Sequence, residues 1–188
     1  PGASDELVRL APLVRPLVEL HWVREVARWS RLDVEEQRLR EHLFGASRTS
    51  FPQWLRTLLC DLQAGQCFYC GDALVGRPAQ IDHVVPWSRW PNDAIENLVL
   101  ADGRCNGDKS DRLPASVHVG RWVERSNDHA TALVAAASRR RWPSDERRTL
   151  ALMRAAYLHL PSGTPLWMAP GEVEQGRLDV IRELLVVA

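Results

Sequence analysis

The sequence contains almost no lysine and carries no net charge. Lys109 is the one lysine among 188 residues, and the remaining 23 basic residues are arginines. The formal net charge is zero and the pI is about 7.4. A strongly basic domain, which would indicate nucleic-acid binding by its overall charge, is therefore excluded. There is no apolar run of membrane-spanning length and no basic-then-apolar leader, so we expect no membrane partner and a cytoplasmic location.

Cysteine is also scarce, with Cys60, Cys67, Cys70 and Cys105 only. In a cytosolic chain, a close Cys-x-x-Cys pair with a distant third cysteine favours a metal site over a disulfide. The hydrophobic fraction of 45% is sufficient for a sizeable core. The chain begins at Pro1 without Met, so additional domains before Pro1 stay open as an expectation. A homo-oligomer is the second open expectation for the partners of this chain.

The N-terminal region, residues 1–64, has the periodicity of helices. Apolar residues recur at helical spacing over 5–29. Pro12 and Pro16 interrupt that pattern, which predicts a short helix or turn first and a better helix from about Pro16. Asp33 and Glu36 form a candidate capping box for a helix over 34–43. A further helix is predicted over about 52–63, ending at Gly65.

The central region, residues 65–114, has a different pattern. It predicts a turn-rich hairpin at 66–75, a strand at 80–85, a loop at 86–93, a short strand at 97–101 and a helix at 106–112. The loop contains Trp87 and Trp90, for which packing and contact with a base or sugar are both open. Three helices are predicted in the last region, 115–188, over about 116–140, 144–159 and 172–186. We expect the three regions to form one compact unit.

The central region also carries the residues that phosphodiester hydrolysis requires. His83 is suited to deprotonating a water molecule, because imidazole titrates near neutral pH. Asp82 and Asn106 offer hard oxygen ligands for Mg²⁺ or Mn²⁺. Asn97 could fix the orientation and tautomer of His83 through a hydrogen bond. Lys109 could reach a phosphate as a point charge.

The motif from Asp82-His83-Val84-Val85-Pro86 to Lys109-Ser110-Asp111 resembles the HNH domain of the RNA-guided CRISPR nuclease and stand-alone bacterial HNH proteins of phage-defence and mobile-element contexts. The resemblance covers about a quarter of the chain. It implies an α+β, mostly helical fold in which a ββα-metal core with a structural zinc site is flanked by helices. It also implies a metal-dependent endonuclease in which His83 is the general base, Asp82 and Asn106 hold the metal and Asn97 positions His83.

Two departures from the family pattern concern the metals. Some relatives have a second acidic ligand just before the last Asn, where this chain has Arg104 and Cys105. Many zinc-binding relatives have a second Cys-x-x-Cys, where this chain has Asp102-Gly-Arg-Cys105. Cys67, Cys70 and Cys105 are therefore predicted zinc ligands. The fourth ligand is Asp102, or alternatively Cys60, a histidine or water.

The expected partner is DNA, with RNA open as an alternative. Residues 82–112 have a net charge of −2 and residues 113–148 a net charge of +3. Contacts with a phosphate backbone are therefore expected from the helices after the core, including the run Arg139–Arg141, which could equally be a solvated helix end. The alternative function is a zinc module that binds nucleic acid or protein without catalysis, and it would not need Asp82, His83 or Asn106.

Overall fold

The computed structural model describes residues 3–30, 36, 39, 43 and 51–187. Its backbone divides into two compact units, Pro1–Ser50 and Phe51–Ala188. The fold class is α+β and mostly helical, as predicted. A search of the described helices found none that is long and apolar enough to cross a membrane.

In the first unit, helix α1 spans Ala3–Ser30. The prediction that Pro12 and Pro16 would separate a first short element from a later helix was wrong, because the helix continues through both prolines. Each proline removes one backbone donor and costs about 3 kcal/mol inside a helix, yet the backbone stays helical on both sides of each ring. The predicted helix over 34–43 lies mostly outside the described residues. Within that range, residues 36, 39 and 43 are described and are helical.

The second unit opens with helix α2, Gln53–Leu62, close to the predicted 52–63. Leu55 and Leu59 on its inner face are fully buried. After the helix, the side chain of Gln63 accepts a hydrogen bond from the backbone N–H of Leu100 and donates one to its carbonyl, at 2.8 and 2.7 Å. The side-chain amide of Gln63 thus makes the pair of hydrogen bonds that a neighbouring strand would make, and it ties the end of α2 to Leu100 in the middle of the next strand.

The centre of this unit has the predicted strand, loop, strand and helix order. Strand β1, Ala79–His83, pairs antiparallel with β2, Leu98–Asp102, so that His83 is opposite Leu98. Helix α3 follows directly at Gly103–Lys109, three residues before the predicted start. It begins early because the Asp102 carboxylate accepts hydrogen bonds from the N–H groups of Arg104 and Cys105, both at 2.8 Å.

Helices α4, Ser116–Arg140, and α5, Glu146–Leu158, agree with the predicted segments. The predicted helix over 172–186 was wrong at its start. Residues Pro165–Ala169 and Glu172–Gln175 form a hairpin, β3 and β4, and helix α6 begins only at Leu178 and runs to Val187. The turn contains Pro170 and Gly171, whose φ of +81° suits glycine, and this dipeptide was the overlooked turn signal.

The helices after the core hold the segment that leads into β2. The indole of Trp122 and the guanidinium of Arg125, both on α4, donate hydrogen bonds to the carbonyl of Glu96. Arg125 also donates to the carbonyl of Leu98 at 2.8 Å. Burial lowers the pKa of Arg125 to about 10, so it stays cationic at neutral pH. This segment therefore has its conformation set from outside the ββα core.

Candidate metal centre and active site

Four side chains meet where the Cys-x-x-Cys turn approaches the start of α3. They are Cys67, Cys70, Asp102 and Cys105, and one possible ligand atom from each lies within 4.8 Å of all the others. The Cys70 thiol donates to the second oxygen of Asp102 at 3.2 Å, while the backbone N–H of Asp102 points at the Cys67 sulfur at 3.4 Å. Cys60, the alternative fourth ligand, is not a member of this cluster.

The cluster places several potential anions in one small volume. Partial desolvation, with contributions from Asp102 and Cys67, raises the pKa of Cys70 to about 11. Burial likewise raises the pKa of Cys105, helped by the nearby Cys67 and Asp102. Burial also opposes ionisation of Asp102, but hydrogen bonds from Cys105, Cys70 and Arg104 outweigh it and lower the pKa of this carboxyl. A cation held between these groups would remove their mutual repulsion.

The donor set fits a metal ion of the zinc type. Three thiolates and one carboxylate in a tight group match the ligands and number of a closed tetrahedral zinc site. Cys67, Asp102 and Cys105 are buried, which suits a structural ion. Asp102 would serve twice, since one of its oxygens caps α3 and the other faces Cys70.

Asp82 lies on the face of β1 that looks toward α3, and its carboxylate is paired. Its Oδ2 atom lies 2.9 Å from the Lys109 ammonium and accepts a hydrogen bond from the Tyr69 hydroxyl at 2.5 Å. Burial and the neighbouring Asp82 raise the pKa of Tyr69, so this hydroxyl stays a donor. Both contacts use Oδ2, which leaves Oδ1 for another ligand.

Lys109 has a different environment from the one predicted for a phosphate contact. Its side chain is 0% exposed. The ammonium bonds the Asp82 carboxylate and the His83 carbonyl at 2.9 Å each and lies 5.8 Å from the centre of the Tyr69 ring. A buried cation cannot reach a substrate phosphate from this position. It instead fixes the end of β1 against α3.

Asn106 lies on the exposed side of α3, beside Gln80 of β1. Its amide nitrogen donates to the Gln80 side-chain oxygen at 2.5 Å. Gln80 precedes Asp82 by two residues and therefore points to the same face of the strand. Asp82 and Asn106 thus approach one junction between β1 and α3, each with an oxygen that these contacts do not use.

His83, the last residue of β1, points away from that junction. Its Nε2 atom lies 2.7 Å from Oδ1 of Asp93 in the loop before β2. The ring of Phe51 packs on it with centroids 5.7 Å apart. Asp82 and His83 therefore point to opposite faces of β1, as successive residues of a strand do. Within residues 51–187, no hydrogen bond or ion pair joins the side chains of Asp82, His83 and Asn106. Lys109 links the first two, through one carboxylate and one carbonyl.

The hydrogen bond expected from Asn97 to His83 is not formed. Asn97 is fully buried, and its side chain pairs with both backbone groups of Val85, at 2.9 and 3.1 Å. It also donates to the carbonyl of Asn92 at 3.0 Å. Every one of these partners is backbone, because the chain turns sharply after His83 and leaves polar groups without strand partners. Asn97 therefore holds the loop that follows His83, and the His83 ring is contacted by Asp93 instead.

The comparisons with known proteins agree with the motif. Residues 67–115 match the family model described as HNH endonuclease. This matched stretch is called here the HNH segment. It accounts for 49 of the 188 residues and covers strands β1 and β2, helix α3 and all four members of the cysteine cluster. A comparison of the whole chain with curated proteins found no match. The HNH segment is thus similar to a family of nucleases whose domains commonly bind nucleic acid and use divalent metals.

Sequence reasoning missed two residues beside the HNH site. Asp93 contacts His83 although it lies ten positions away in a loop, and nothing in its local pattern distinguishes it from a turn carboxylate. Trp142 lies outside the HNH segment, but its indole donates to the Asp93 carbonyl at 2.9 Å. The available signal for Trp142 was its position after Arg139–Arg141 and before Pro143. Of the loop tryptophans, Trp87 is half-buried and Trp90 packs against the core.

Proposed function

We propose that this chain is a metal-dependent endonuclease that hydrolyses phosphodiester bonds of DNA. The observation that carries the proposal is the His83–Asp93 pair at the end of β1, within the HNH segment and directly after Asp82 in the strand. An imidazole paired with a carboxylate is the arrangement of a general base with a group that orients it.

The contact with Asp93 supports a specific role for each ring nitrogen of this base. A neutral imidazole that donates its Nε2–H to Asp93 carries its lone pair on Nδ1. Nδ1 is then the atom that takes a proton from the attacking water. Phe51 packs on the ring and limits its rotation, and Lys109 holds the His83 carbonyl in place. The base is thus fixed at its side chain and at its backbone.

Two metal sites belong to the proposal. Asp82 and Asn106 would hold the catalytic Mg²⁺ or Mn²⁺, because both offer hard oxygen atoms at the same junction. Such an ion, when bound, neutralises charge on the phosphate and the leaving oxygen. The cluster of Cys67, Cys70, Asp102 and Cys105 would hold a structural Zn²⁺, which joins the Cys-x-x-Cys turn to the start of α3.

A plasmid-nicking assay tests the chemistry. The wild type should nick supercoiled DNA with Mg²⁺ or Mn²⁺, and His83→Ala should be slower by roughly 10²–10⁴-fold. His159→Ala is the matched control, because His159 is an exposed histidine at the end of α5. Zinc content and melting temperature should be equal in all three proteins. A wild-type rate in His83→Ala would exclude His83 as the base.

The cysteine cluster supports a second candidate, a zinc module that binds nucleic acid or protein without cleaving it. The cluster is complete without Asp82, His83 or Asn106. This candidate predicts that the wild type binds its partner and nicks nothing with any divalent cation. Tight zinc binding together with no cleavage would therefore favour it.

For the biological setting, we propose phage defence or a mobile element, on the basis of the resemblance to stand-alone bacterial HNH proteins. Cells that express the wild type should then form fewer plaques under phage challenge than cells that express His83→Ala at the same level. Equal plaque counts over a broad phage panel would remove the defence role and leave the nuclease proposal intact.

A further inference from the structure

An exposed group of arginines lies where α4 ends and α5 begins. Residues 139–148, called here the basic corner, contain two acidic residues and five arginines, a net charge of +3, and every one of these charged side chains is exposed. The arginines are Arg139, Arg140, Arg141, Arg147 and Arg148. One of the acids, Asp145, accepts the N–H of Arg148 and caps α5, so its carboxylate is already partnered.

The basic corner is attached to the loop that positions His83. The indole of Trp142 donates to the carbonyl of Asp93, and the carbonyl of Pro143 accepts the N–H of Ile95, both at 2.9 Å. The Asp93 side chain in turn contacts His83. Two hydrogen bonds therefore separate the basic corner from the candidate base.

Aromatic contacts reach from the basic corner to His83 as well. The Arg140 guanidinium lies over the ring of Trp54, 6.0 Å from its centre. Trp54 contacts Trp142, and Trp142 contacts Phe51, with centroids 6.0 and 6.1 Å apart. Phe51 packs on His83 itself. These contacts connect the basic corner to His83 through three aromatic rings.

The HNH segment itself offers few cations to a phosphate backbone. Lys109 is buried against Asp82. Arg77 pairs with Asp72 at 3.0 Å, and Arg112 pairs with Asp108 at 2.8 Å. The guanidinium of Arg89 donates to the carbonyl of Asp111 at 2.7 Å. Since residues 82–112 carry a net charge of −2, most of the positive charge for substrate must come from elsewhere.

We propose that the basic corner binds the phosphate backbone of the DNA duplex whose scissile phosphate lies at His83. This proposal rests on the proposed nuclease function and names the surface that holds its substrate. Arginine guanidinium groups bind phosphate oxygens through charge-assisted hydrogen bonds, which fix register without reading base sequence. The corner would therefore supply affinity, while His83 supplies the chemistry.

The test compares two double variants with the same change in charge. Arg139→Gln/Arg141→Gln removes two charges from the corner and keeps Arg140, which packs on Trp54. Arg177→Gln/Arg182→Gln is the control, because both arginines are exposed and lie at or just before α6. Binding of a fluorescent 20-bp DNA duplex is measured by anisotropy over a series of salt concentrations in calcium. Single-turnover cleavage is then measured at saturating enzyme in magnesium.

The corner variant should bind DNA roughly tenfold more weakly at low salt. The slope of its log K plotted against log salt concentration should be less steep by about 2, since each lost phosphate contact contributes about 0.9. Its cleavage rate at saturation should equal that of the wild type, and the control should match the wild type throughout. Equal effects of the two variants, or no effect of either, would overturn the proposal. A polyglutamate of equal charge that competes as well as DNA would also overturn it, in favour of an acidic protein partner.

The two proposals fail separately. If the wild type binds the duplex, the corner variant binds it more weakly and neither protein cleaves, the binding surface stands and the nuclease proposal falls. If the wild type cleaves DNA and the corner variant binds DNA with the same salt dependence as the wild type, the nuclease proposal stands and the DNA lies on another surface.

Discussion

Nε2 of His83 lies 2.7 Å from Oδ1 of Asp93, and the backbone of Asp93 is held by the indole of Trp142. The pair joins the last residue of a strand to a loop that the connection between α4 and α5 holds in place. His83 therefore depends on residues well outside its own strand for its orientation.

Replacing Asp93 with asparagine should impair catalysis more than stability. Asp93→Asn removes the carboxylate, and the new amide can present an N–H to Nε2 and so favour the wrong tautomer. We expect kcat to fall by at least about tenfold with little change in KM. Asp128→Asn, an exposed site on α4, is the control in a steady-state nicking assay. An unchanged kcat in Asp93→Asn would leave Asp93 as a structural partner only.

Removing the Lys109 charge should destabilise the HNH segment strongly. Lys109→Met leaves the buried Asp82 carboxylate without its cation, for which a loss of about 3–5 kcal/mol in the free energy of unfolding is expected. Tyr69→Phe removes one hydrogen bond and keeps the ion pair, so about 1–2 kcal/mol is expected. Urea unfolding measures both, with the exposed Arg104→Met on the same helix as reference. A loss in Lys109→Met no larger than in the reference would show that the pair does not hold the core.

The two roles of Asp102 can be separated by choice of substitution. Asp102→Asn keeps a good helix cap but replaces the carboxylate with a poor zinc ligand, so zinc affinity should fall while the metal-free protein keeps its stability. Asp102→Ala should lose affinity and also about 1 kcal/mol of metal-free stability. Competition with a chromogenic chelator and thermal unfolding measure the two quantities. Unchanged zinc affinity in Asp102→Asn would move the fourth ligand elsewhere.

Stability should fall below pH 6.5 because of His118. Burial lowers the pKa of this histidine, whose Nε2 contacts the Met168 carbonyl at 2.7 Å while the buried Nδ1 has no partner. The unfolded chain therefore takes up the proton at higher pH than the folded one. The stabilisation is complete above pH 6.5 and decreases as pH falls below it toward the lowered pKa of the folded state.

His118→Gln isolates this contribution, because glutamine can donate to Met168 and does not titrate. The difference in unfolding free energy between wild type and variant should be constant above pH 7 and should shift against the wild type as the pH falls below 6.5 toward the lowered pKa of the folded state. A difference that stays constant over this range would contradict the assignment.

The sequence predicted the elements of the core well because local signals dominate there. The Cys-x-x-Cys turn, the strand before Pro86 and the short helix after β2 each follow from residues within a few positions. The match of residues 67–115 confirms the resemblance that was drawn from the same residues. The hairpin after α5 was missed because its strands are short. Its second strand, Glu172–Gln175, is rich in glutamate and shows no alternation of apolar and polar residues.

The contacts of the candidate site were harder to predict, because they depend on tertiary neighbours. Asn97 and Lys109 were predicted to contact His83 and a phosphate, yet their partners are a turn backbone and a buried carboxylate. The spacing of these residues in the sequence did not predict the direction in which their side chains point. Asp93 became visible only when α4 and α5 placed the loop against β1.

The burial of Lys109 has a practical consequence, since it is the one lysine of the chain. Reagents that acylate primary amines find no accessible side-chain amine while the fold is intact. Slow labelling of this residue would therefore report, at a single known position, how often the junction between β1 and α3 opens. The same property makes attachment through lysine unsuitable for immobilising this protein in its folded form.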